Sequence, residues 1–506
     1  MDHLDVIIVG AGLSGVGGAC HLRTACPEKS FAVLEGREEM GGTWDLFRYP
    51  GVRSDSDMYT LGYRFRPWRD NKAMADGPSI LSYIRQTAAE YQVDKTIRYN
   101  HRVRRAEWSS EEARWTVEVE TGREKTLTQF TCKFLYLCTG YYDYDSGYTP
   151  NWPGVERFRG TIVHPQKWPE DLDYTGKRVI VIGSGATAVT LVPAMADKAA
   201  HVTMLQRSPS YIVSRPAEDR VANWLRKCLP DSTAYAAARW KNVLAGTFFY
   251  NLARKRPNIF KWMVARGVRS ELGNKYDARD FTPPYNPWDQ RLCLVPDADL
   301  FKAIREERVS VVTDHIETFT EHGLKLKSGQ HLDADIIVTA TGLVLKLFAG
   351  MQLVVDNTPV DMPKTLVYKG MMFSDVPNLA FAIGYTNASW TLKCDLAAEY
   401  VCRLLNHMDR HGYSTCTPCI NDADIEEEPV IDFNSGYVLR ALPNLPRQGS
   451  KTPWRLHQNY VRDLSMMRYG RIEDGTMEFK AAPVAHEAKS KAERHAPAEA
   501  GAVGRG

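Results

Sequence analysis

Two stretches of this chain read strand, glycine turn, helix, and that repetition constrains the fold more than any other feature. Residues 4–9, LDVIIV, run straight into Gly10-x-Gly12-x-x-Gly15, and residues 177–182 run into Gly183-x-Gly185-x-x-Ala188. An apolar strand ending in such a turn can bring its backbone close to a pyrophosphate. The N–H groups and the dipole of the helix that follows favour the negative charge. The first two glycines serve the tight turn and the close approach, and the third small residue lets helix pack on strand. The pattern predicts an α/β chain with two Rossmann-like dinucleotide-binding domains.

The ends of the next strands differ in a way that separates the two nucleotides. Residues 31–34 form an apolar strand closed by Glu35, and a carboxylate there suits a ribose diol and repels a 2′-phosphate. Residues 201–205 form the matching strand of the second unit, closed by Gln206 and Arg207, and an arginine there can pair with a 2′-phosphate. The pair that fits is FAD at the first site and NADPH at the second. Between strand and helix of the first domain lies EEMGGTWDLFRYPGVRSDSD, a polar and aromatic loop broken by Gly41, Gly42 and Tyr49-Pro50-Gly51. A loop in that position is expected to line the site, with Thr43, Trp44, Arg53 and Asp55 as candidates.

A chain of 506 residues is too long for one core. Strand-like segments end in similar turns at Cys138-Thr-Gly140 and Thr339-Ala-Thr-Gly342, as expected if the chain leaves one domain, builds a second and returns. The expected division is 1–145 (first part of the FAD domain), 146–209 (first part of the NADP domain), 210–284 (a helical insertion), 285–331 (NADP domain resumed), 332–480 (FAD domain resumed) and 481–506 (a disordered tail rich in Ala, Pro, Glu and Lys). Tyr141, Tyr142, Tyr144 and Tyr148 are expected to pack. The loop 384–390 before a closing helix either faces a flavin edge or simply packs. Residues 242–253, NVLAGTFFYNLA, are too short to span a bilayer. Core helix or channel wall is the expectation there, with an interfacial helix as the alternative.

A formal charge of +3 gives no reason to expect a nucleic-acid partner. The uncharged runs 6–22 and 179–196 each contain a glycine turn and read as buried strand plus helix, not as membrane spans. Asp2 and Asp5 stand where a signal peptide would carry basic residues, and the ten cysteines show no disulfide framework; a cytoplasmic protein is expected. Only Cys416-Thr-Pro-Cys419 has redox or metal spacing, and an ordinary loop is the expected reading of it.

The stretch Phe158-x-Gly160-xxx-His164-xxx-Trp168-Pro169 resembles the fingerprint of the class B flavoprotein Baeyer–Villiger monooxygenases. Gly41-Gly-x-Trp44-xxxx-Tyr49-Pro50-Gly51-xxx-Asp55 is similar to a second pattern of that family. The resemblance implies that Gly10, Gly12, Ser14, Gly15, Glu35, Thr43, Trp44, Asp45 and Leu46 hold FAD, with Asp55 beside the flavin and Val103 at the adenine. It implies that Arg53, Ser54 and Asp55 approach the nicotinamide cofactor. Gly183, Ser184, Gly185, Ala186, Thr187, Ala188, Val189, Gln206 and Arg207 would hold NADPH. Arg291 is the implied active-site arginine, oriented by Asp55, and His164 a linker residue that couples domain movement to cofactor position. Many members carry a lysine before that arginine; here it is Gln290, which weakens the expected grip on a 2′-phosphate. The implied reaction inserts one oxygen atom of O₂ beside a ketone carbonyl through a flavin C4a-peroxide, giving an ester or lactone, and also oxygenates sulfides or thioamides. A heteroatom monooxygenase is the alternative. A disulfide reductase would need a redox Cys pair soon after the first nucleotide unit, and Cys416 and Cys419 come very late.

Overall fold

The computed structural model describes residues 2–290, 292–431 and 433–481. The first sheet runs, edge to edge, Thr358–Pro359, Gln352–Val355, His101–Ser109, Arg114–Thr121, Thr126–Leu137, Asp2–Val9, Phe31–Leu34, Ile97–Arg98. Its organising strand is Thr126–Leu137. Along one edge its first half pairs antiparallel with Arg114–Thr121, and its last residues pair in parallel with Leu379–Phe381. Along the other edge it runs parallel to Asp2–Val9. One strand therefore belongs both to an antiparallel meander and to a parallel nucleotide-binding sheet. Val6, Ile7, Ile8 and Val9 are all buried, as a strand covered on both faces requires. Helix Leu13–Ala25 lies on this sheet and packs against the closing helix Trp390–His411.

The second sheet is parallel throughout, in the order Val309–Thr313, His201–Gln206, Arg178–Ile182, Ile336–Thr339, Thr161–Val163. The uncharged run 179–196 resolves into strand Arg178–Ile182 and helix Ala186–Met195, which carries Pro193 inside it. The fold is α/β with two dinucleotide-binding units. Two connections join them, Tyr142–Gly147 going out and Leu343–Leu345 coming back, and these two segments pair antiparallel as one ribbon.

The segment expected to be helical opens instead with a strand, Ile212–Arg215, paired in parallel with Cys293–Pro296. Helices Arg220–Cys228, Asp231–Lys255, Pro257–Leu272 and Ala278–Phe281 follow. The long helix is anchored near its start by buried Arg239, which donates to the Tyr59 and Gly62 carbonyls at 2.9 and 2.7 Å and pairs with Asp395 at 3.3 Å. The apolar run 242–253 within it is a channel wall and not a core segment: Val243, Thr247, Phe249 and Tyr250 line a large cleft, while Leu244 and Phe248 are 55% and 63% exposed. Among the described residues no helix is long and apolar enough to cross a membrane.

Candidate functional site

The two glycine turns are built alike, and their inner and outer glycines do different work. Gly10 and Gly183 take φ of +102° and +141°, a region closed to most side chains. A Cβ on either would strike the exit of the neighbouring strand, 2.6 Å from the Cys138 carbonyl oxygen and 2.3 Å from the Ala340 carbonyl oxygen. A Cβ on Gly15 would lie 1.8 Å from the Gly10 carbonyl oxygen. The middle glycines face no such neighbour. On Gly12 the nearest atom would be Gly42 Cα at 3.5 Å, and on Gly185 nothing lies within 4 Å. The chain keeps open cradles at the two places where a pyrophosphate would approach the backbone, so the residues present fit a dinucleotide at each turn.

The first turn opens on a cleft of about 390 Å³, and the helix after the second turn reaches the same cleft with its first residues. Gly10, Gly12, Ser14, Glu35, Thr43, Trp44 and Val103 line it from the first domain, and Ala186, Thr187 and Thr190 from the second. Glu35 accepts from the Ala11 N–H at 2.7 Å and the Arg37 N–H at 2.9 Å. Burial pushes its carboxyl up from the usual range, and those two N–H donors oppose the push. Arg53, Ser54, Asp55 and Ser56 line the cleft where the domains meet. Asp55, Ser56, Leu294, Tyr385 and Ala388 are shared with a second, larger cleft of about 1430 Å³ walled by the helical insertion.

Arg53 is the most informative side chain of the site. Its Nη1 donates to Asp299 at 2.5 Å, across the domain boundary. Its Nε and Nη2 are buried without a partner. Buried donors left unpaired cost roughly 1–3 kcal/mol each, so two on one guanidinium facing a cleft mark a place prepared for an anionic group. The loop before it explains Tyr49-Pro50-Gly51. Tyr49 is buried against the second domain, its hydroxyl pushed up to about 12 by burial. A Cβ on Gly51 would lie 2.6 Å from Ala194 Cβ and 2.9 Å from the Thr190 carbonyl oxygen. The first domain's loop thus clasps the second domain's helix Ala186–Met195.

Several residues expected to touch cofactor sit behind the cleft instead. Gly15 is closed over by Gly10. Asp45 is sealed under Arg37, Arg48 and Arg85, at 2.7, 2.9 and 3.6 Å, and holds the loop rather than a ligand. Leu46 ends the short helix Thr43–Leu46 in that loop and does not reach the lining. Ala188 and Val189 belong to the second domain's core. The Gln206 amide is turned inward, donating to the Asp280 carbonyl and to Thr313 Oγ1, both at 2.8 Å. Ser184 Oγ donates to the Ser208 carbonyl at 3.0 Å and is spent locally; Ser54 does line the cleft, although its hydroxyl donates to the Ser56 carbonyl at 2.8 Å. Arg207 is exposed at its strand end, and Gly183 and Gly185 frame the turn. Arg291 lies outside the described residues, as do residues 482–506 of the expected tail.

The tyrosines after Gly140 are site residues and not mere packing: Tyr141, Tyr142 and Tyr144 all line the cleft. Their position at the C-terminal edge of a parallel sheet was the available signal, because ligands bind there. Tyr148 instead carries the Arg440 guanidinium over its ring. Trp390 also lines the cleft, stacking on Tyr141 and donating to Ser14 Oγ at 2.9 Å, so the closing helix both packs and faces the cofactor space. His164 stands at the ribbon between the domains, its Nε2 3.2 Å from the Gly342 carbonyl oxygen. Cys416 is fully buried and Cys419 is a free thiol; neither borders the clefts described.

Two dinucleotide turns in one chain, beside a cleft joined to a separate substrate-sized room, are the architecture of a two-nucleotide flavoprotein. The chain belongs to the flavin-binding monooxygenase-like family, whose profile matches residues 4–406. It is 57% identical over 484 residues to the FAD-containing monooxygenase EthA of Mycobacterium tuberculosis, covering 95% of this chain and 99% of that protein. It is 48% identical to the probable FAD-binding monooxygenase AlmA of Acinetobacter baylyi, over 97% of this chain and 98% of that one. Among solved structures, it superposes on a steroid monooxygenase bound to NADP with a TM-score of 0.74 at 21% identity, covering 95% of this chain and all of that one. It also superposes on a polycyclic ketone monooxygenase from the fungus Thermothelomyces thermophila, at 0.74 and 17%, covering 95% and 90%. These likenesses carry the fold; the relatives carry the family, and with it a flavin monooxygenase.

Proposed function

We propose that this monooxygenase is FAD- and NADPH-dependent and of the Baeyer–Villiger type. A ketone, O₂, NADPH and a proton become an ester or lactone, NADP⁺ and water; sulfides and thioamides are further substrates. The observation that supports it is convergence. The cleft of the first glycine turn, which the helix start after the second turn also lines, meets the large cleft at Asp55 and Ser56, so two nucleotides and an organic substrate can share one boundary. When bound, FAD reduced by NADPH supplies the two-electron chemistry that divides O₂ between product and water.

The chain's own residues do the rest. Gly10, Gly12, Ser14, Glu35, Thr43, Trp44 and Val103 hold FAD. Gly183 to Thr187 hold NADPH, with Arg207 toward its 2′-phosphate and neutral Gln290 adding no charge there. Arg53 offers its two spare nitrogens, Nε and Nη2, to an anionic part of the nicotinamide cofactor, prepositioned by Asp299. Arg291, in the role implied by the family pattern, supplies positive charge where a carbonyl oxygen becomes anionic. Phe249, Phe260, Met263 and Trp288 make the substrate room apolar. The protein is expected in the cytoplasm.

Product analysis with ¹⁸O₂, NADPH, a soluble aliphatic ketone and, separately, a thioether tests this. An ester carrying one ¹⁸O supports it, and in Arg291→Ala that ester is lost, on the order of a hundredfold or more in rate, while FAD stays bound. Sulfoxide without ester across several ketones would replace the reading with heteroatom oxygenation.

A further inference from the structure

The apolar side chains that this protein leaves in solvent are not scattered. Sixteen large ones are exposed among the described residues, and ten of them stand between residues 221 and 263, nine on three consecutive helices of the insertion and Leu229 between two of these. Trp240, Leu244 and Phe248 follow one another at four-residue spacing along the helix Asp231–Lys255, so they share a face. Ile259 shares a face with Trp262 and Met263, three and four residues on, along Pro257–Leu272, and Val221 with Trp224, three residues on, along Arg220–Cys228. The helices pack on one another, so the three faces belong to one insertion. Single exposed apolar residues need no explanation, but a concentration of this kind marks an interaction surface.

Charge identifies the partner. Residues 219–272 contain eleven Lys and Arg against three Asp and Glu, although the whole chain carries only +3. Some of these cations are committed inside the fold: Arg239 pairs with Asp395 and Lys241 with Asp219. Arg220, Lys227, Lys255, Arg256 and Arg266 are exposed beside the apolar faces. Trp and Phe interleaved with Lys and Arg suit the headgroup region of an anionic bilayer, where rings enter the acyl boundary and cations meet phosphates. A second copy of the chain would set the same cations against each other, and like charges facing across an interface are penalised. The surface is also continuous with the large cleft, because Val221, Phe249 and Met263 are both exposed and part of its lining.

We propose that the helical insertion docks on an anionic lipid surface and admits lipophilic substrate from it into the large cleft. The admitted cargo rests on the monooxygenase reading; the docking does not. Flotation of the FAD-loaded protein with phosphatidylglycerol-containing vesicles tests it, beside pure phosphatidylcholine vesicles. Cys228, an exposed thiol within the surface, also carries an environment-sensitive fluorophore in the otherwise unaltered chain. The expected result is salt-sensitive binding to the anionic vesicles with a blue shift of the label. Lys255→Ala/Arg256→Ala weakens that binding roughly thirtyfold, as expected for two surface cations. Phe248→Ser/Trp262→Ser weakens it at least about tenfold. Both pairs lie outside the cleft linings, so turnover of a soluble short ketone stays unchanged while turnover of a long-chain ketone held in vesicles falls. Absence of binding to either vesicle overturns the proposal, as does binding that ignores both variants. A concentration-dependent dimer abolished by Phe248→Ser/Trp262→Ser overturns it too, in favour of a self-interface. Vesicle binding is read without NADPH or turnover, so its failure is separate from any failure of the soluble-ketone assay.

Discussion

A methyl group added at Gly183 would press on the Ala340 carbonyl oxygen, and at Gly185, two residues away, it would meet nothing. The backbone at Gly185 is at φ −82°, open to any L residue. Gly183→Ala is therefore expected to destabilise the second domain by about 2 kcal/mol or more, from strain and clash together. Gly185→Ala should leave the thermal midpoint where it is and weaken NADPH binding at least about tenfold, because its methyl occupies the pyrophosphate's approach. Thermal unfolding beside a fluorescence titration with NADPH separates the two. The reverse pattern would mean that the turn does not cradle a nucleotide. Residue roles of this kind were readable because a glycine turn imposes a fixed geometry. Asp45 was not readable: its neighbours Arg37 and Arg48 are close in sequence, but only the folded loop brings Arg85 onto the same carboxylate.

At the level of elements, strand–turn–helix units were legible from apolar runs and punctuation. The parallel pairings and the ribbon between domains were not, because nothing local encodes which distant strand a segment meets. The apolar run 242–253 walls the large cleft, as the channel-wall reading has it, but periodicity shows that a helix has a face and not whether its other side, with Leu244 and Phe248, is covered. The ribbon formed by Tyr142–Gly147 and Leu343–Leu345 carries the domain connection, and His164 is half-buried against it. Burial lowers the His164 pKa from the usual 6.5, opposed by hydrogen bonds to the Gly342 and Tyr148 backbone. Above pH 6.5 the ring is neutral in folded and unfolded chains, and its contribution to stability is fully present. As pH falls below 6.5 the unfolded chain takes up a proton that the folded chain resists, so stability is lost across that window. Replacement by Asn should flatten this slope, measured as the difference between wild type and His164→Asn in denaturant titrations at stepped pH. Equal slopes would remove His164 from the pH response.

Across the whole molecule, the two nucleotide domains touch through a short list of features, chief among them Gly51 lying on Thr190 and Ala194 and the Arg53–Asp299 pair. Gly51→Val is expected to lever the domains apart, since φ there is +75° and the added atoms have no room. Small-angle scattering should show a larger radius of gyration, with KM for NADPH raised about tenfold or more as the shared cleft widens. Unchanged scattering would mean that the clasp yields locally. The route of the chain through its sheets has a further consequence, in time rather than space. Strand Asp2–Val9 and helix Leu13–Ala25 are made first, yet strand Leu379–Phe381 and helix Trp390–His411 complete their unit. The second sheet needs only residues 161–339. On the ribosome, the domain that starts second can finish first, and the earliest-made strands must wait, part of their apolar surface uncovered, until helix Trp390–His411 emerges.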